Sequence, residues 1–182
     1  MRMQSETPFE SLLVSSRKCD LIAHMREHPE AFEEALSLAL ADRPPYSWRA
    51  AWLLWSCVKK NDPRLRRRYG DIVRAAAAAR DNLKRELFKI LQMLEPAEAH
   101  ESELFDACVS AWETLNSQPS VRMNALKLLL MTAKRYPELL REISILTRRE
   151  YLETLSPGAN KSATRMVRSA LKRGRSGKEE LE

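Results

Sequence analysis

Asp20, His24 and His28 recur at i, i+4 and i+8, a spacing that sets a carboxylate and two imidazoles near one helical face, where they could ligate a metal. A zinc centre needs three or four convergent ligands, yet the only other histidine is His100, and Pro29 follows His28 directly. The expectation is therefore a surface pair of His24 with Asp20 and no metal. Trp48, Trp52 and Trp55, with Tyr46 just ahead, share a face that would suit an aromatic platform for a ligand or an unstacked base. Ala51 and Val58 lie on the same side, which favours core packing instead. No GxGxxG, P-loop, GxSxG, HExxH or CxxC pattern occurs. Catalytic residues, cofactors and a small-molecule substrate are thus not expected.

The formal charge of +6 is unevenly spread. Between Lys59 and Arg74 stand seven cations, including Arg64, Arg66, Arg67 and Arg68, against Asp62 and Asp71 alone. From Lys161 to Lys178 there are seven more, including Lys161, Arg165, Arg168 and Lys172, and no acid. Either segment could meet an anionic partner, with solvated charge as the ordinary alternative. The arginine run opens a helix, where cations oppose the macrodipole, so a source of negative charge is expected nearby, from neighbouring turns or from a partner.

The elements that must hold these residues are helices. Four glycines in 182 residues, with abundant Ala, Leu, Glu, Arg and Lys, favour helix throughout. A small polar residue, read as the cap that starts a helix, followed by a hydrophobic or basic run recurs at Ser47-Trp48-Arg49, Asn82-Leu83-Lys84-Arg85, Ser120-Val121-Arg122 and Asn160-Lys161. The copies lie about 35 to 40 residues apart, the period of stacked helix pairs. Prolines at 29, 44, 45, 63, 96, 119, 137 and 157 separate the apolar-periodic segments. The spacing predicts a helical cap over 1–28 and helix pairs over 29–61, 62–98, 99–136 and 137–173. A disordered charged tail is expected over 174–182. Gly70, inside the Leu65, Tyr69, Ile72, Val73, Ala76 stripe, predicts a break or kink near Tyr69-Gly70. Cys19, Cys57 and Cys108 read as reduced interior thiols of a cytoplasmic protein, and neither a membrane span nor a signal peptide is visible.

Trp48-Arg49-Ala50-Ala51 and Val121-Arg122-Met123-Asn124-Ala125, each opening the second helix of a pair, resemble HEAT repeats over roughly residues 29 to 173. The resemblance implies an all-α fold, a right-handed α-α superhelix of about four helix pairs behind the N-terminal cap. It also implies that the second helices line an inner surface that serves as a scaffold for protein partners and sometimes nucleic acid. Arg49, Lys84 or Arg85, and Arg122 would form a ladder there, either bonded to a preceding turn, with Asp42 and Asp81 as candidate partners, or facing an anion in the groove. A protein-binding scaffold or adaptor is the expected function, with nucleic-acid binding as the alternative. The chain also distantly resembles the HEAT-like DNA glycosylases that excise alkylated bases, which pair aromatic residues with an acid. Here Glu86 is the only acid deep within a second helix, so excision chemistry would fall to it.

Overall fold

The structure, a computed structural model, describes the backbone of residues 6–179 and the side chains of residues 6–173. Among these residues there are twelve α-helices and two short 3-10 turns, and no strand. The chain forms two compact units, Met1–Ala97 and Glu98–Glu182.

In the first unit, α1 (Pro8–Ser15) and α2 (Lys18–Glu27) both pack on α4 (Tyr46–Cys57). A capping box starts α1: the Glu10 amide donates to the Thr7 hydroxyl and the Thr7 amide donates to the Glu10 carboxylate. Two helix pairs follow, α3 (Ala31–Leu40) with α4, and α6 (Tyr69–Ala78) with α7 (Asp81–Gln92). Between the pairs, α3 lies against α6 and α4 against α7. First helix on first and second on second is the succession by which repeat units bury faces that none can cover alone. The predicted stripe is fully realised, with Leu65, Tyr69, Ile72, Val73 and Ala76 all buried, and on α7 and the turn after it Leu83, Leu87, Ile90, Leu91 and Leu94 are buried as well. The expected break also exists. It falls at Arg67–Arg68, between the one-turn α5 (Pro63–Arg66) and α6, and Gly70 sits buried in the first turn beyond it.

The tryptophan stripe is a correction. The buried face of α4 is Ser47, Ala50, Ala51, Leu53 and Leu54, while Trp48, Trp52, Trp55 and Val58 are only half-buried. Alanines at the centre of a helix touched by α1, α2, α3 and α7 let four neighbours approach closely, which bulky indoles would prevent. The recurrent polar residues are also displaced: Ser47, Asn82, Ser120 and Asn160 lie inside the first turns of helices that open at Tyr46, Asp81, Pro119 and Pro157. Ser47 Oγ accepts from the Arg43 amide at 2.5 Å, so it ties the preceding turn to the helix instead of capping it.

In the second unit, α8 (Glu101–Glu113) packs on α9 (Pro119–Thr132), and α9 on α12 (Pro157–Glu179). The first helix of the last pair is broken into a 3-10 turn (Pro137–Leu139), α10 (Leu140–Ile145) and α11 (Arg149–Leu152). Hydroxyls explain the stop, since Ser144 Oγ donates to the Arg141 carbonyl at 2.6 Å and Thr147 Oγ1 to the Ser144 carbonyl at 2.7 Å. Such side-chain bonds compete with helical ones, and β-branched Ile143, Ile145 and Thr147 add little propensity. Leu139 and Leu140 are accordingly half-buried, while Ile143 and Leu146 reach the interior. α12 continues to Glu179, so the backbone of 174–179 is helical where composition predicted a disordered tail. Once a turn exists, each added residue gains a hydrogen bond, which offsets two glycines. The rest of that expected tail, 180–182, lies outside the described residues.

Candidate functional site

The ladder arginines turn inward. Arg122, on α9, is fully buried and donates through Nε to the Trp112 carbonyl at 2.8 Å, through Nη1 to Thr154 Oγ1 at 2.6 Å and through Nη2 to the Tyr151 carbonyl at 2.6 Å. Its guanidinium lies 4.8 Å from the centre of the Trp112 ring. No carboxylate pairs with it among the described residues. Burial pushes its pKa below the usual arginine value, although arginine stays charged at any physiological pH. A cation in this position therefore fastens the end of α8 and the α11 turn to α9 through neutral oxygens. Arg49 Nε donates to the Leu13 carbonyl of α1, not to Asp42, and its guanidinium stands 5.4 Å over the Trp48 ring. Lys84 Nζ donates to the Ala77 carbonyl at 3.2 Å, and Arg85 Nε to Glu86 at 2.7 Å.

Glu86 is buried against α4. One oxygen accepts from Arg85, and the other from Trp55 Nε1 at 2.6 Å and Lys89 Nζ at 2.9 Å. Trp52 and Trp55 meet edge to face at 6.5 Å, and lysines of the same chain cover their rings: Lys18 lies 5.1 Å from Trp52 and Lys89 4.7 Å from Trp55. The aromatic platform and the acid proposed for excision thus form one hydrogen-bonded, cation-covered cluster.

The arginine run finds its negative charge within the fold. Arg64 donates to Asp62 through Nε and Nη2 and lies 3.8 Å from the Phe32 ring. Arg66 pairs with Glu95 at 3.4 Å, and Asp71 takes both Arg68 and Arg74. Arg67 is exposed and donates to the Pro63 carbonyl. The guanidinium bond from Arg64 holds Asp62 below the usual carboxylate range, and bonds from Arg68 and then Arg74 do the same for Asp71. A depressed folded-state pKa contributes stability that is complete above the unfolded value of about 4 and is lost as pH falls through the folded one. The thermal midpoint of the chain is therefore expected to stay level from neutrality towards pH 5 and to drop below pH 4. Melting curves of an Asp62→Asn, Asp71→Asn variant should show a shallower acid limb; an identical limb would contradict the pairing.

Arg165 and Arg168, by contrast, are exposed on α12 with Lys161. With Lys172, Thr164 and Ser169 they line a shallow groove in which no acid stands. Of the ten sequence-predicted contact residues, Arg165 and Arg168 are the two that bond to no group among the described residues. Inward, Ala163, Val167 and Ala170 are buried.

The two histidines of the N-terminal segment meet aromatic and acidic neighbours. His24 lies between Phe9 (5.9 Å) and His28 (4.4 Å), His28 Nδ1 is 3.0 Å from Glu30, and Asp20 accepts from Cys19 Sγ. The predicted His24 and Asp20 pair is thus absent, and among the described residues no cluster of metal-ligating side chains occurs. No disulfide joins the cysteines among the described residues, and of the three Cys108 is interior, Cys57 half-buried and Cys19 exposed. Two features escaped the sequence reading. One is buried Glu10, paired with Arg43 at 2.8 Å. The other is a groove between α8 and α10 lined by Phe105, Val109, Glu113, Glu142 and Ile143.

Helix pairs stacked first on first and second on second, with arginines of the second helices tied to adjoining elements, are the arrangement against which a family assignment can be weighed. A family model described as a HEAT repeat domain matches residues 13–173. The chain belongs to the HEAT repeat family. The match takes in α2 and the end of α1, so this HEAT repeat domain reaches into the segment that the prolines set apart as a cap. Comparisons with curated proteins and with solved structures gave no match. Among the described residues, no helix of the HEAT repeat domain is long and apolar enough to cross a membrane.

Proposed function

We propose that this HEAT repeat domain is a non-enzymatic, cytoplasmic interaction module, a scaffold or adaptor whose partner is a protein. The observation that carries the reading is the internal use of the residues suited to chemistry: both oxygens of Glu86 are occupied, one of them by Arg85, and Arg49, Lys84 and Arg122 act as struts. What the domain offers outward is shape, charge and apolar side chains, the means by which helical repeats bind macromolecules. Cysteines joined by no disulfide among the described residues support a reducing compartment. Capture by the full chain from native lysate, with and without nuclease, tests the reading. A protein retained in fixed proportion after nuclease treatment is expected; retention that disappears with nuclease would overturn it. No base release from alkylated duplex is expected from either the unaltered chain or its Glu86→Gln variant.

The exposed cations of α12 favour a second reading, in which the partner is nucleic acid. Affinity for duplex DNA would then fall with salt at a slope of about one per phosphate contacted. Arg165→Glu with Arg168→Glu should flatten that slope, whereas reversing Arg66, Arg67 and Arg68, two of which already serve carboxylates, should change it less. Binding that is absent or indifferent to salt removes this reading.

A further inference from the structure

We propose that the groove between α8 and α10 is a docking site for a basic amphipathic helix of a protein partner, an inference that rests on the adaptor reading above and gives it a surface. The groove has a volume of about 550 Å³, with Phe105, Val109, Ile143 and Leu146 forming its apolar floor and Asp106, Glu113 and Glu142 its rim. It exists because the repeat is irregular at this point. α8 has 13 residues and α10 only 6, which at 1.5 Å per residue leaves about half the length of α8 without a neighbouring first helix. Phe105 and Val109 consequently remain half-buried. The walls are held in place without a ligand: Trp112, fully buried in α8, donates through Nε1 to the Leu146 carbonyl at 2.8 Å, and Ile143 is fully buried. A groove already held open spares the cost of ordering it on binding.

The charge decides the occupant. Elsewhere among the described residues five buried or half-buried acids, Glu10, Asp62, Asp71, Glu86 and Glu101, pair with cations of the chain. Asp106, Glu113 and Glu142 form no ion pair among the described residues; Glu113 accepts only the Tyr151 hydroxyl, at 3.2 Å. No lysine or arginine lines the groove. A ligand must therefore bring apolar side chains for the floor and cations for the rim, which excludes polyanions and suits an amphipathic helix with apolar anchors at i, i+3, i+4 and i+7. The site joins first helices of successive pairs, not the second helices to which the family resemblance assigned the binding surface.

The test is fluorescence anisotropy of the full chain with a short labelled peptide carrying leucines at i, i+3, i+4 and i+7 and lysines at all other positions. The triple variant Asp106→Lys, Glu113→Lys, Glu142→Lys should bind it roughly tenfold or more weakly, and Val109→Lys alone several-fold more weakly, each with an unchanged helical signal. Exchanging the peptide's leucines for alanine should cost a similar factor. A control variant, Glu138→Lys with Glu150→Lys, alters exposed acids outside the groove and should bind as the unaltered chain does. Equal losses in the control and groove variants, or equal binding of the alanine peptide, would reduce the effect to bulk charge and overturn the site. The adaptor reading stands or falls separately, with capture from lysate.

Discussion

An Arg122→Ala chain is expected to lose about 3–5 kcal/mol of stability in its second unit, because three hydrogen bonds from a charged donor are lost together with the packing of a fully buried side chain. Three acceptors lose their donor at once, and the Trp112 carbonyl is the one that water reaches least, because Trp112 is fully buried. For a unit of this size that loss corresponds to a fall in melting temperature of roughly 10 °C or more. Arg122→Lys should recover little of it. An ammonium keeps the charge, but three oxygens in different directions call for the spread of a planar guanidinium. Urea denaturation followed by far-ultraviolet circular dichroism measures the difference; a loss below 1 kcal/mol for the alanine variant would mean that the three bonds hold nothing.

Removing the Glu86 carboxylate is the second large effect, expected at about 2–3 kcal/mol for Glu86→Ala in the first unit. The change strands the Trp55 indole donor and leaves Arg85 and Lys89 as neighbouring cations without their shared anion. Glu86→Gln should cost less, because its amide oxygen still accepts one of the three donors while the amide nitrogen repels the others. Trp55 reports the loss directly, since an indole freed from a 2.6 Å bond to a carboxylate changes its fluorescence maximum. A variant with unaltered emission and unaltered denaturation midpoint would contradict the cluster.

These two residues show why the fold was more legible than the site. Apolar residues at helical spacing can satisfy their requirement only by facing inward, so Tyr69, Ile72, Val73 and Ala76 disclosed α6, and Pro63 marked the turn ahead of it. A polar side chain has several ways to be satisfied. Arg122 and Arg165 look alike along the chain, yet one fills a core and the other faces solvent, because the Tyr151 and Trp112 carbonyls lie within reach of the first alone. The α4 face was misread for a related reason: Trp48, Trp52 and Trp55 carry far more apolar area than Ala50, but a helix with four neighbours needs small residues at its centre. The groove beside α10 depended on where a helix stops, and Ser144 and Thr147 decide that through backbone bonds that periodicity does not register.

Solvent exchange of arginine Nε–H protons, measured by nuclear magnetic resonance, tests most directly whether the ladder arginines are internal struts. Arg122 and Arg49, whose Nε–H groups bond to the Trp112 and Leu13 carbonyls, should exchange far more slowly than Arg165 and Arg168. An Arg122 Nε–H that exchanges as fast as that of Arg165 would place its guanidinium in solvent and contradict the account.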